Sequence, residues 1–218
     1  MYDRQPMAEE NAPDTSDRPK RSLVVTAAAI AALALAALGW KGWQVLVEEP
    51  RRADEAVKAF AFTPPVRIGP APAALGSTPS GKPFTVADAK GQVLFVNFWA
   101  TWCPPCREEM PSMLQLGQEL AARHPGKFRM VAVSVDEEWP IVQKFFGGRL
   151  PGGVEFLLDV DQSVTRQYYC AARGSCPDSF KFPETYIVDA QGNLVSYVIG
   201  PRDWSDPAAL RYLEGLFK

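Results

Sequence analysis

The sequence predicts an α/β domain, a central mixed β-sheet flanked by helices with an N-terminal hairpin, preceded by one transmembrane helix and a Pro-rich linker. Three observations carry this expectation. An apolar run at residues 93–99 leads directly into Trp102-Cys-Pro-Pro-Cys106 and a segment of helical period. A valine-alternating run at 129–135 follows, giving strand, helix, strand. Residues 23–40 form an uncharged stretch, rich in alanine, that as a helix can just cross a bilayer. With 218 residues, 47% of them hydrophobic, the chain can hold one domain of ordinary size plus extensions. A formal net charge of −2 gives no sign of a nucleic-acid partner.

In order, residues 1–21 mix prolines with both signs of charge and are expected to be a disordered cytoplasmic tail. Residues 22–43 are expected to be an uncleaved anchor. Arg18, Lys20 and Arg21 precede the apolar run and Trp40, Lys41 and Trp43 mark its far interface, which favours an N-terminus in the cytoplasm and an exported domain; Arg51, Arg52 and Lys58 weaken the charge argument, but the chemistry of the cysteines supports export. A cleaved signal peptide is the rival, because small residues cluster around Ala34 to Ala37. Residues 44–74 read as a semi-extended Pro-rich linker, with a short helical pattern at 53–62. The domain is expected over 75–218, opening with a hairpin around Gly81-Lys-Pro-Phe-Thr-Val.

Residues 93–99 are β-branched and aromatic with one polar member, Asn97, as in a strand buried on both faces. After it, Met110, Met113, Leu114, Leu116 and Leu120 recur near helical spacing until His124-Pro-Gly126. Helices are expected at 139–146 and 161–169, with a short strand at 154–159 between them. Strands at 184–189 and 194–199 flank Asp-Ala-Gln-Gly-Asn, in which Gly192 suits a turn, and a last helix spans 207–217.

Cysteines where a strand becomes a helix suit thiol chemistry. The helix N-terminus favours negative charge and lowers a thiol's pKa from about 8.5 into the range of roughly 3.5–7.5. Cys103 is therefore the expected exposed nucleophile and Cys106 the buried resolver, while Pro104 and Pro105 occupy a first turn where their missing N–H groups cost little. A structural disulfide or half of a zinc site uses the same spacing. His124, the single histidine, sits at a helix end and is expected on the surface, which excludes a Ser/His/Asp site and a histidine-rich metal site. Trp102, beside the first sulfur, is placed to touch substrate.

Asn-Phe-Trp-Ala-Thr-Trp-Cys-Pro-Pro-Cys-Arg-Glu-Glu-Met-Pro at 97–111 resembles the active-site segment of the TlpA/ResA group of membrane-anchored thioredoxin-like proteins. The resemblance extends over residues 81–218 and includes Gly-Lys-Pro-Phe-Thr-Val-Ala-Asp-Ala-Lys-Gly at 81–91 and Phe-Pro-Glu-Thr-Tyr-Ile-Val-Asp-Ala-Gln-Gly-Asn at 182–193. It implies a thioredoxin fold and a thiol–disulfide oxidoreductase with no cofactor. It also implies that Pro183 is cis, although only about 5–6% of X-Pro bonds are, with Phe182 closest to the sulfurs. Asn97 stands where thioredoxin has a buried aspartate, so another base is needed; Glu109 matches an acidic residue of the ResA branch. A solvated carboxylate is the plainer reading of Glu109. Pro111 is expected to kink its helix.

The resemblance further implies clients among exported proteins, such as apocytochrome c or copper-site cysteines, and a membrane electron donor of DsbD/CcdA type. It places the chain in the inner membrane as a single-pass protein with its domain in the periplasm. A copper or zinc transfer module built on the cysteines, or a dithiol oxidase, are the alternatives. A thiol peroxidase lacks support, because Ala100 and Val96 stand where its Thr and Pro would be. Cys170 and Cys176 depart from the shorter connection usual in the family; a structural disulfide bracing the approach to Pro183 is expected, with a second redox pair as the rival.

Overall fold

Strand β4 (Val93–Trp99) is the centre of the sheet, and all seven of its residues are buried. Its residues alternate between two cores. Val93, Phe95 and Trp99 pack with one set of helices, while Leu94, Val96 and Phe98 face the other. Asn97 therefore points to the first face, among apolar groups, where it needs hydrogen-bond partners.

The computed structural model describes residues 18–48, 68–176 and 179–217. The chain divides into two compact units, Met1–Arg52 and Ala53–Lys218. In the first, helix α1 (Arg18–Trp43) runs on into a wider helical turn at Gln44–Glu48. Residues Val24–Glu48 have a mean hydropathy of 1.8 and are unburied, long enough and apolar enough to cross a bilayer. Residues 1–17 of the tail expected over 1–21, and the helical pattern at 53–62, lie outside the described residues, whereas residues 18–21 are not tail but the first turn of α1.

In the second unit the sheet comprises, among the described residues, β1 (Gly69–Pro70), β2 (Ala74–Ser77), β3 (Pro83–Thr85), β4, β5 (Phe128–Ser134), β6 (Val154–Leu158), β7 (Glu184–Val188) and β8 (Asn193–Ile199), in the order β1-β8-β7-β4-β5-β6-β2-β3. Strands β4, β5 and β6 are parallel, and β7 runs antiparallel to β4 on the other side. Helices α2 (Pro104–Arg123) and α5 (Pro207–Glu214) cover one face, with α3 (Trp139–Phe145) beside them. Helix α4 (Ser163–Arg173) covers the other through Val164 and Tyr168.

The start of the domain moves. Sheet pairing begins before residue 75, because the Ile68 N–H donates to Leu194 O (2.9 Å) and Gly69–Pro70 pairs with β8. The end of the expected linker is therefore an edge strand, a position proline tolerates since its missing N–H can face outward. The β2–β3 hairpin then folds across to β6, and at the crossing Gly76 has φ +127 with a Cβ position only 2.7 Å from Leu158 O. Glycine alone allows that approach.

His124 is half-buried rather than a free surface residue. Its Nε2 lies 2.9 Å from Glu214 Oε1 on α5, and its ring stacks near Phe217 at 4.6 Å, so it ties the end of α2 to the last helix. Pro111 lies within α2, which nevertheless remains one helix from Pro104 to Arg123.

Candidate active site

The parallel arrangement of β4 and β5 sends the C-terminal end of β4 into a turn held by an aspartate. Asp136, just past β5 and 2% exposed, accepts from the Thr101 N–H (3.0 Å), the Thr101 hydroxyl (2.8 Å) and the Ser134 hydroxyl (2.6 Å). That clamp fixes the residue before Trp102. Three donors on one buried carboxylate hold the turn rigid.

Beyond the turn, Cys103 is the N-cap of α2 and its sulfur accepts from the Cys106 N–H at 3.3 Å. Pro104 and Pro105 open the helix without leaving a donor unused. The two cysteines form a disulfide with Cα atoms 5.3 Å apart. In this oxidised state Cys103 is not the open residue expected from sequence: 5% of it is exposed, against 0% for Cys106. The reason is that its sulfur turns inward onto Cys106 and the helix amide. Trp102, at 61%, and Pro104 are the exposed members of the motif. The Phe182 ring lies 6.1 Å from the Trp102 ring, and the Phe182–Pro183 peptide bond is cis.

Glu109 is the largest departure from the plainer expectation. It is 3% exposed, not a solvated carboxylate, because residues 109, 113, 116 and 120 share the buried face of α2. Its Oε1 accepts from Asn97 Nδ2 (2.9 Å), and its Oε2 accepts from the Arg202 N–H and Trp204 Nε1–H (3.1 Å each). Trp204 is itself held edge-on against Phe95 at 4.7 Å, and its backbone N–H donates to Ser112 Oγ (3.1 Å). Burial pushes the Glu109 carboxyl up from 4.5 to about 7, against the pull of the donors on Arg202, Asn97 and Trp204.

All three partners are donors, so they suit the ionised form, while the protonated acid needs an acceptor. Asn97 Oδ1 is buried without a hydrogen-bond partner among the described residues. Asn97 Nδ2 also donates to Thr185 Oγ1 (2.9 Å), directly across the β4–β7 pair. Turning the Asn97 amide over would offer Oδ1 to a protonated Glu109. The pair thus has a ready arrangement for each protonation state.

The turn clamp Asp136, the Asn97 partner Thr185 and the Glu109 partners Arg202 and Trp204 were not singled out as site groups by the sequence. A polar residue ending the valine run of β5 was the available signal for Asp136. Cys170 and Cys176 are joined in a separate disulfide, and among the described residues no group of three or more His, Cys, Asp and Glu converges as a metal site.

The redoxin family profile matches residues 55–213. The chain belongs to the redoxin family. Among curated proteins, this redoxin is 32% identical over 123 residues to thiol-disulfide oxidoreductase ResA of Bacillus subtilis (strain 168), covering 56% of this chain and 60% of that protein. It is 31% identical over 123 residues to thioredoxin-like protein YneN of the same organism, covering 56% and 65%. The chain thus spans less than two thirds of the length of these curated relatives. A solved thiol:disulfide interchange protein of the thioredoxin family from Chlorobium tepidum TLS superposes with a TM-score of 0.56 at 32% identity, covering 70% of this chain and 99% of that one. The mixed sheet, the flanking helices and the CxxC at the end of β4 make this redoxin a thioredoxin fold.

Proposed function

We propose that this redoxin is a thiol–disulfide oxidoreductase that reduces disulfides of exported client proteins while tethered to the inner membrane by α1. The observation that carries the reading is the Cys103 sulfur capping α2 at the end of a buried strand, bonded to the Cys106 amide. The names of two matched proteins, thiol-disulfide oxidoreductase and thiol:disulfide interchange protein, describe the same chemistry.

In the reduced protein the helix amides favour the Cys103 thiolate. It attacks one client sulfur, forming a mixed disulfide, and the other client sulfur leaves as a thiolate that takes up a proton. Cys106 then loses its proton and attacks Cys103 Sγ, so the client's second sulfur leaves. The client gains two electrons and two protons, and Cys103–Cys106 returns as a disulfide. Glu109, one turn beyond Cys106 on the buried side of α2, is the base that receives the Cys106 proton, with Asn97 accommodating either state of the acid. Trp102 and Phe182-Pro183 supply the surface on which an extended client lies. A membrane donor of DsbD/CcdA type would re-reduce the pair, and apocytochrome c or copper-site cysteines would be its clients.

Insulin reduction and the CxxC reduction potential test the activity. The expected potential lies near the thioredoxin value of about −270 mV, and one near about −120 mV would make the protein an oxidase. For the tether, supported by the length and hydropathy of Val24–Glu48, carbonate-washed membranes are expected to retain the chain with its domain accessible from the periplasm. A soluble mature form beginning near residues 35–40 would identify a cleaved signal instead.

A further inference from the structure

The second disulfide joins Cys170, near the end of α4, to Cys176, with Cα atoms 4.8 Å apart. Gly174, at φ +68, lets the chain reverse within so short a loop, and its N–H donates to Cys170 O (2.9 Å). The closed loop carries Arg173. Its guanidinium turns inward, where Nη2 donates to Glu184 Oε1 at 3.2 Å; the arginine side chain is 13% exposed and the glutamate 1%. The same guanidinium lies over the ring of Tyr169 (3.6 Å) and near that of Tyr197 (5.3 Å). The Tyr186 hydroxyl donates to the other carboxylate oxygen of Glu184.

Glu184 follows Pro183 and opens β7 opposite Phe98. On the other side of the cis bond, Phe182 stands against Trp102, beside the reactive sulfur. We propose that Arg173 is a positioning residue for the client-binding segment 182–184, and that the Cys170–Cys176 disulfide holds it there. The proposal rests on the disulfide-exchange reading above.

The physical reason is the cost of an unpaired buried charge. Without the guanidinium, Glu184 keeps a single hydroxyl donor in a site whose burial already disfavours its ionised form. It must then take up a proton or move toward water, and a shift of its backbone carries Phe182, two residues earlier in the chain, with it. The disulfide matters because Arg173 is the last residue of α4, where a helix frays most readily. Cys170 lies in the C-terminal part of that helix, where the dipole opposes a thiolate, so the pair is placed to hold structure rather than to pass electrons.

The test uses the full-length oxidised protein in detergent, in which both disulfides are present. Electrons are supplied to Cys103–Cys106 by a peptide bearing a Cys-x-x-Cys dithiol or by dithiothreitol, and the change in tryptophan fluorescence follows the initial rate. In C170S/C176S, the half-saturating peptide concentration is expected to rise about tenfold, the size of a lost hydrogen bond to a charged group. The rate with dithiothreitol, which has no peptide backbone to dock, stays within about twofold of wild type. R173M, which keeps the disulfide and so guards against a folding failure of the double variant, shows the same rise in half-saturation for the peptide. R173K recovers most of it.

Equal losses with both reductants, or unchanged peptide saturation in both variants, would overturn the proposal and leave the pair as a general brace. Exchange by the wild type with neither dithiol is a different result, since it removes the oxidoreductase reading itself.

Discussion

Cys106→Ser is expected to accumulate clients bound covalently at Cys103, visible as high-molecular-weight species that vanish on treatment with reductant. The Cys103 thiolate still forms the mixed disulfide, but no second thiol stands at the start of α2 to release it. Cys103→Ser is expected to lose client reduction by at least about a thousandfold, because the remaining sulfur, at 0% exposure, is covered by the protein. The asymmetry comes from position. Cys103 precedes the helix and receives the Cys106 amide, whereas Cys106 lies within the helix and faces the core with Met110 and Met113. Trapping by the Cys103→Ser protein and not by Cys106→Ser would reverse the assignment.

Glu109→Gln is expected to abolish a pH-dependent loss of stability. In the unfolded chain this carboxyl ionises from about pH 4.5 upward, whereas in the folded, oxidised protein burial holds its proton to about pH 7. Between these values the unfolded state binds fewer protons, so folding stability is full below the lower value and declines as pH rises through the upper one. The total is on the order of 3 kcal/mol. Glu184, also raised by burial, is present in both proteins and cancels from their difference. Denaturant midpoints from pH 4.5 to 8.5 should therefore converge or cross, with the wild type declining more steeply. The rate of disulfide release should in parallel lose its rise near pH 7, since the variant has no carboxylate to receive the Cys106 proton. Parallel stability curves and an unchanged pH–rate profile would show that Glu109 is ionised throughout and plays a structural part only.

The sequence by itself determined what depends on neighbours along the chain. The seven residues of β4 are β-branched, aromatic or leucine but for Asn97, the composition of a strand buried on two faces. The adjoining prolines and the Met and Leu spacing of 110–120 place the cysteines at a helix start. Deciding the environment of Glu109 required more. Helical period places it on the same face as Met113, Leu116 and Leu120, yet a carboxylate there is tolerable only because Asn97, the Arg202 amide and Trp204 converge on it. Two of those donors arrive from more than 90 residues away.

The same is true of Arg173 and Glu184, which sit on a helix and a strand that meet only once the sheet is formed, and of Gly69–Pro70, which reads as linker until β8 is there to pair with it. Local propensity and period are properties of a stretch of chain, so they are legible in it. Whether a buried charge is paired, which amide answers it, and which edge accepts a further strand are settled by groups on other elements, and only the packed structure brings them together.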